Sequence, residues 1–169
     1  MLVDTHCHLT SEDFAQDLDQ VLDRARQAGV TRMICMGETA ADNREVLRLA
    51  ADIPDVLPAL GHYPAHLDDA MVDETEALLR AHRDDVVAIG EVGIDHWLAK
   101  EPDERAHQHR LFSRMVGLSK ELDLPLSVHS RSAGHHAIGL LEELGATRVC
   151  LHAFDGKAKY ARAAAERGF

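Results

Sequence analysis

Hydrophobic and polar positions along the chain alternate between two periods. Six short apolar runs stand out: Leu2–His6, Val30–Met36, Val56–Leu60, Val86–Ile89, Leu126–His129 and Val149–His152. Each is bounded by Pro, Gly or polar residues and is rich in aliphatic or β-branched side chains, which predicts strands. Longer stretches with helical spacing lie between them. Phe14, Leu18, Val21, Leu22 and Ala25 form a single apolar stripe, which predicts a first helix capped by Thr10 or Ser11 and ended by Gly29. Val46, Leu47 and Ala50 predict a second helix, with Thr39 as its cap. Val72, Leu78 and Leu79 mark a third, and Leu111, Met115, Leu118 and Leu122 a fourth that Pro125 closes. Ile138, Leu141 and Leu144 mark a fifth before Gly145, and a sixth runs over about 157–167.

Six βα units in strict alternation give a parallel sheet with right-handed crossovers. An open dinucleotide-binding sheet would carry a Gly-rich turn after its first strand, whereas this chain reads His6-Cys7-His8-Leu9-Thr10 there. Polar residues instead stand at the ends of strands one, three, four, five and six, where a barrel builds its site. A complete barrel needs about 250 residues. The expected architecture is therefore α/β, an incomplete TIM-barrel-type repeat with about six of eight βα units. Residues 1–169 are expected to form one truncated domain of a longer gene product, with its first and sixth strands as open edges.

Composition narrows the function. The 18 Lys+Arg against 29 Asp+Glu give a formal charge of −11, which argues against a non-specific nucleic-acid coat. A phosphate substrate would need local positive charge or metal. No apolar run approaches the roughly 20 residues that cross a bilayer, so no membrane association is expected. Three cysteines without metal-type spacing point to reduced thiols and a cytoplasmic setting. The unusual figure is 12 histidines.

Four segments carry candidate chemistry. In Asp4-Thr5-His6-Cys7-His8, strand alternation puts His6 and His8 on one face, able to share a divalent ion, with Asp4 placed to orient them. In Gly90-Glu91-Val92-Gly93-Ile94-Asp95, Glu91 ends a buried run, where a carboxylate needs either a cation ligand or an arginine partner. Ser127-Val128-His129-Ser130-Arg131 places His129 and Arg131 on one face, the guanidinium suited to phosphate oxygens. Cys150-Leu151-His152-Ala153-Phe154-Asp155-Gly156 adds another strand-end histidine. Four imidazoles and one carboxylate thus collect at one rim.

In order and spacing, these motifs resemble the TatD family of metal-dependent deoxyribonucleases, amidohydrolase-like TIM barrels. The resemblance implies that His6 and His8 hold one metal, Glu91 bridges and acts in catalysis, and His129 and His152 hold a second metal. Asp4, Asp95 and Arg131 are the expected supporting or substrate-facing residues. The cofactors would be two divalent ions (Zn, Mg or Mn) and the substrate DNA, at ends or in single strands. Paired ions activate a water and stabilise the leaving oxygen in such sites.

The chain departs from the family pattern twice. Tyr63 stands where a histidine is usual after the third strand, and the aspartate of an eighth strand has no counterpart. Three alternatives follow: a phosphoesterase of the PHP (polymerase and histidinol phosphatase) class, an amide hydrolase, or a metal-binding fragment without turnover. The Glu91 motif weighs against the first. The second commonly needs a bridging lysine, and no lysine sits at a strand end. Of the remaining histidines, His62 and His66 are expected in exposed loops. His82, His96, His107, His109, His135 and His136 are expected on solvated faces. Trp97 is expected to pack at the rim, Cys7 to face the helices and Cys150 to line the interior.

Overall fold

The computed structural model describes residues 2–169. Six parallel strands are hydrogen-bonded in chain order: β1 (Leu2–Cys7), β2 (Val30–Met36), β3 (Val56–Leu60), β4 (Ala88–Gly93), β5 (Leu126–His129) and β6 (Val149–Leu151). The intervening helices are α1 (Leu18–Gln27), α2 (Ala40–Asp52), α3 (Asp69–Ala81), α4 (Pro102–Leu122) and α5 (Gly134–Glu143), with α6 (Ala158–Glu166) after β6. Neighbouring pairs are parallel throughout, so the sheet curls into a barrel arc of six βα units.

Alternation along each strand divides its residues between two faces. On β2, Met33 and Cys35 enter the main core between sheet and helices, with Val46, Leu79, Ile89, Phe112 and Val128. Ile34 and Met36 face the concave side, in a smaller cluster with Ala59, Ala88 and Val87. The thin concave lining leaves room for polar side chains at the strand ends. The edge strand β1 is open, with Leu2 57% exposed.

The start of α2 follows its cap. The Thr39 hydroxyl accepts the Asp42 N–H at 3.1 Å, as its position before α2 predicts. Thr39→Ala is expected to cost about 1 kcal/mol, read from urea denaturation; an unchanged midpoint would show that solvent replaces the cap. Gly29, after α1, takes φ 90°.

The first helix departs from the expectation. Ser11 caps only a 3₁₀ turn at Glu12–Phe14, and α1 begins separately at Leu18 behind Asp17. Phe14 therefore lies outside the helix whose stripe it extends. β4 also runs later than the Val86–Ile89 run, through Glu91 to Gly93. Cys7 packs against the main core as expected, but Cys150 is exposed because β6 is an edge strand that nothing covers among the described residues.

Candidate metal centre

The strand ends converge on Glu91, which is 3% exposed on the central strand β4. His6, near the end of β1, brings Nε2 to 3.5 Å from Glu91 Oε2, and His8, just past the strand, brings its Nε2 to 3.3 Å from the same oxygen. The other oxygen, Oε1, lies 2.9 Å from Nδ1 of His129, the last residue of β5. His152, just past β6, stacks its ring on His6 with centroids 3.4 Å apart. All five side chains expected at the rim thus meet in one cluster.

Supporting contacts are specific. His6 Nδ1 meets Ser127 Oγ at 3.0 Å, which leaves Nε2 directed at His8 and Glu91. His129 Nε2 meets Asp95 Oδ2 at 2.9 Å, which leaves Nδ1 for Glu91. The other Asp95 oxygen accepts the N–H groups of Trp97 and Leu98, so this fully buried carboxylate fixes both the ring and the loop. Asp4 does not orient the imidazoles. Its carboxylate accepts the backbone N–H of His6 at 3.1 Å, and Ser127 makes the ring contact instead.

The electrostatics match the geometry. Burial alone would push the Glu91 carboxyl up, but hydrogen bonds from His129, His6 and His8 reverse this and hold it far below the usual carboxylate range. The hydrogen bond to Glu91 raises His8. Burial pulls His129 down, yet its bonds to Glu91 and Asp95 outweigh that and raise it. Burial, followed by repulsion from His6, lowers His152.

These donors fit a divalent cation. Among the described residues, every ion pair of Glu91 is with a histidine, so the arginine-partner reading of this carboxylate fails. Ligand atoms of His6, His8 and Glu91 all lie within 4.8 Å of one another. The two imidazole Nε2 atoms are 3.2 Å apart. Tetrahedral ligands at about 2.0–2.1 Å from zinc stand about 3.3 Å from each other.

An open groove leads to the cluster, lined by Glu38, Tyr63, Ser130, Arg131 and Asp155. Tyr63 packs edge-on against His129, with centroids 5.0 Å apart. Burial, with nearby Asp95 and Glu91, raises its phenol to about 12, so it stays a donor. Arg131 lies over the Trp97 ring at 5.0 Å and Lys100 over the same ring at 4.6 Å. Trp97 is 55% exposed rather than packed, because the loop after β4 turns its ring outward, beside these two cations.

Sequence reasoning missed Glu38 and Ser127. Glu38 follows β2 much as His8 follows β1, so strand-end position was the available signal. The Ser127 contact depends on the curl of the sheet between β1 and β5, which no local pattern reports. Two further expectations fail. His62 is buried, its Nε2 2.6 Å from the His66 carbonyl, because the segment after β3 folds back over its own strand end. His96 is also buried, as the loop after β4 turns in against α4 and α5.

A six-strand parallel arc with a carboxylate and four imidazoles at the C-terminal strand ends places the candidate site where barrels of βα units build theirs. The family model for TatD related DNase matches residues 3–169, and the chain belongs to that family. It is 36% identical to the human deoxyribonuclease TATDN3, over 99% of this chain and 66% of that protein. It is also 36% identical to the 3'-5' ssDNA/RNA exonuclease TatD of Erwinia tasmaniensis, over 83% of this chain and 54% of the relative. The crystal structure of YjjV, a TatD homologue from Escherichia coli, superposes with a TM-score of 0.90 at 30% identity, covering 99% of this chain and 65% of that one. The chain spans only part of the length of these curated relatives, 66% of the human protein, 61% of a mouse homologue and 54% of the Erwinia exonuclease.

Proposed function

We propose that this protein is a TatD-like deoxyribonuclease that hydrolyses phosphodiester bonds at DNA ends or in single strands. In this reading residues 1–169 act as one domain in the cytoplasm, a setting that three free thiols suit. Among the described residues no helix is long and apolar enough to cross a membrane. Two divalent ions, zinc, magnesium or manganese, would be held by His6, His8, Glu91, His129 and His152, with Glu91 serving both. One observation carries this: the two oxygens of a single buried carboxylate divide between opposite sets of imidazoles, Oε2 toward His6 and His8 and Oε1 toward His129. The nuclease names of the human and Erwinia relatives support nucleic acid over small phosphomonoesters.

When bound, such ions polarise a phosphoryl oxygen and lower the pKa of a coordinated water. The chain's own residues do the rest. Asp95 accepts the Nε2 proton of His129 and so keeps the Nδ1 lone pair free for coordination. Ser127 sets the orientation of His6 in the same way. Arg131, at the groove wall, pairs with a non-bridging phosphate oxygen, offsetting the negative field of an acidic protein. Tyr63, also lining the groove, donates an O–H hydrogen bond to substrate, and the exposed ring of Trp97 stacks on a base.

The test is digestion of end-labelled single-stranded DNA by metal-stripped protein, with and without added Mg²⁺, Mn²⁺ or Zn²⁺. The expected result is release of nucleotides only with metal. Intact DNA alongside stoichiometrically bound metal would overturn the proposal and favour a binding protein without turnover.

Metal uptake should also depend on pH. A histidine raised by a carboxylate stabilises the metal-free fold below its ordinary value of about 6.5, and that contribution disappears as pH rises through the raised value. His8 and His129 are such groups, and both must lose a proton to coordinate. Affinity should therefore climb as pH passes upward from about 6.5, with protons released on binding. Isothermal titration in buffers of different ionisation enthalpy reads this directly, and a flat profile would contradict it.

A further inference from the structure

Immediately past Asp95 the structure assembles a second set of imidazoles, which the reaction above does not use. His96 lies in the β4–α4 loop, His109 on α4 and His136 on α5. The Nε2 atoms of His96 and His109 are 3.4 Å apart, with their rings nearly parallel at 7°. The His136 ring centroid is 4.9 Å from that of His96 and 6.1 Å from that of His109. The β4–α4 loop, α4 and α5 thus bring three imidazole rings side by side, with the ring nitrogens of His96 and His109 already paired.

Their surroundings favour neutral donors. His96 is 9% exposed, and burial followed by Arg105 pulls it down to about 4. Burial lowers His109 and His136 as well. Among the described residues none of the three has a carboxylate in salt-bridge range, so no anion competes for the rings as Asp69 does for His107. A single N–H···N bond between His96 and His109 would explain that pair but not the third ring beside it. The 3.4 Å separation also matches the roughly 3.3 Å between tetrahedral zinc ligands.

We propose that His96, His109 and His136 form a separate transition-metal site that clamps the β4–α4 loop to α4 and α5. His136 is exposed, so its ring can turn a nitrogen toward the pair, with water completing the coordination. An all-imidazole set selects borderline ions such as Zn²⁺, Ni²⁺ or Cu²⁺ and rejects Mg²⁺ and Mn²⁺, which prefer oxygen. The loop it would clamp carries Asp95, and the backbone N–H of His96 already donates to the Arg131 carbonyl at 3.1 Å. Occupancy would therefore stiffen the support of His129 and Arg131 without entering the reaction.

Two readouts on the full chain test this. Zinc bound per chain, measured by equilibrium dialysis and elemental analysis, should fall by one equivalent in His109→Gln/His136→Gln relative to the natural sequence. Ni²⁺ should quench the emission of Trp97, the only tryptophan, in the natural protein and in His6→Ala/His8→Ala, but not in His109→Gln/His136→Gln. Mn²⁺ should bind equally to the natural protein and to His109→Gln/His136→Gln. Circular dichroism checks the fold, and if the double variant is misfolded, the exposed single change His136→Gln decides by the same quenching. Unchanged zinc stoichiometry together with unchanged quenching would overturn the proposal.

Discussion

Glu91→Gln is expected to abolish metal-dependent DNA hydrolysis while leaving the fold intact. Glutamine has nearly the same shape, so the packing of β4 against β5 survives. It lacks the charge that His6, His8 and His129 all face. Losing the one charged oxygen donor of the cluster should lower metal affinity by more than the roughly 10–100-fold lost when a supporting residue around a metal is changed. The amide also places an N–H₂ group where a cation held by one set of imidazoles would need an oxygen lone pair. Titration calorimetry and digestion of single-stranded DNA measure the two consequences. In the metal-free variant, His8 and His129 should also titrate at lower pH, having lost the carboxylate that raises them. Metal affinity equal to that of the natural protein would remove Glu91 from the bridging position.

Asp95→Asn tests the layer behind the ligands. Asp95 is fully buried, with Oδ1 capping the loop N–H groups of Trp97 and Leu98 and Oδ2 on His129. Asparagine can keep the capping oxygen but turns an N–H₂ group toward His129 Nε2. That donor requires a lone pair at Nε2, which moves the ring proton to Nδ1, the atom facing Glu91. His129 then cannot coordinate in its present orientation. Losses of this kind run at about 10–100-fold in metal affinity or activity. Asp95→Ala should lose the loop caps as well and lower the melting temperature, whereas Asp95→Asn should not. Equal activity in the natural and Asp95→Asn proteins would mean that the tautomer of His129 does not matter.

Much of the architecture could be read from local pattern, because strand and helix periods are written in neighbouring residues. β2, β3 and β5 begin and end where their apolar runs do, and Thr39 caps α2 as its position predicts. What failed depends on distant contacts. Gly90 reads locally as the end of a strand, yet β4 continues through it. A Cβ there would lie 2.8 Å from Ser127 Cβ and 2.9 Å from Met36 Sδ, so the glycine serves close packing between strands rather than a turn. Phe14 continues the periodic stripe of α1 but belongs to a separate turn, since periodicity carries no signal for the break that Asp17 makes.

The candidate centre was legible for a similar reason. In a parallel arc, the residue that ends each strand arrives at one rim whatever the helices do between strands. His6, His8, Glu91, His129 and His152 could be collected on that rule alone. Supporting contacts such as Ser127 on His6 need the curvature of the sheet, and the grouping of His96, His109 and His136 needs the packing of α4 beside α5. Neither is encoded in spacing along the chain.

Anomalous diffraction from crystals of metal-loaded protein bears most directly on the central claim, because it locates ions without assuming ligands. Data collected at the Mn edge after soaking in Mn²⁺ should show two peaks flanking the Glu91 carboxylate, one contacted by His6 and His8 and the other by His129 and His152. A map with no peak beside Glu91, or with manganese only at surface carboxylates, would contradict the account.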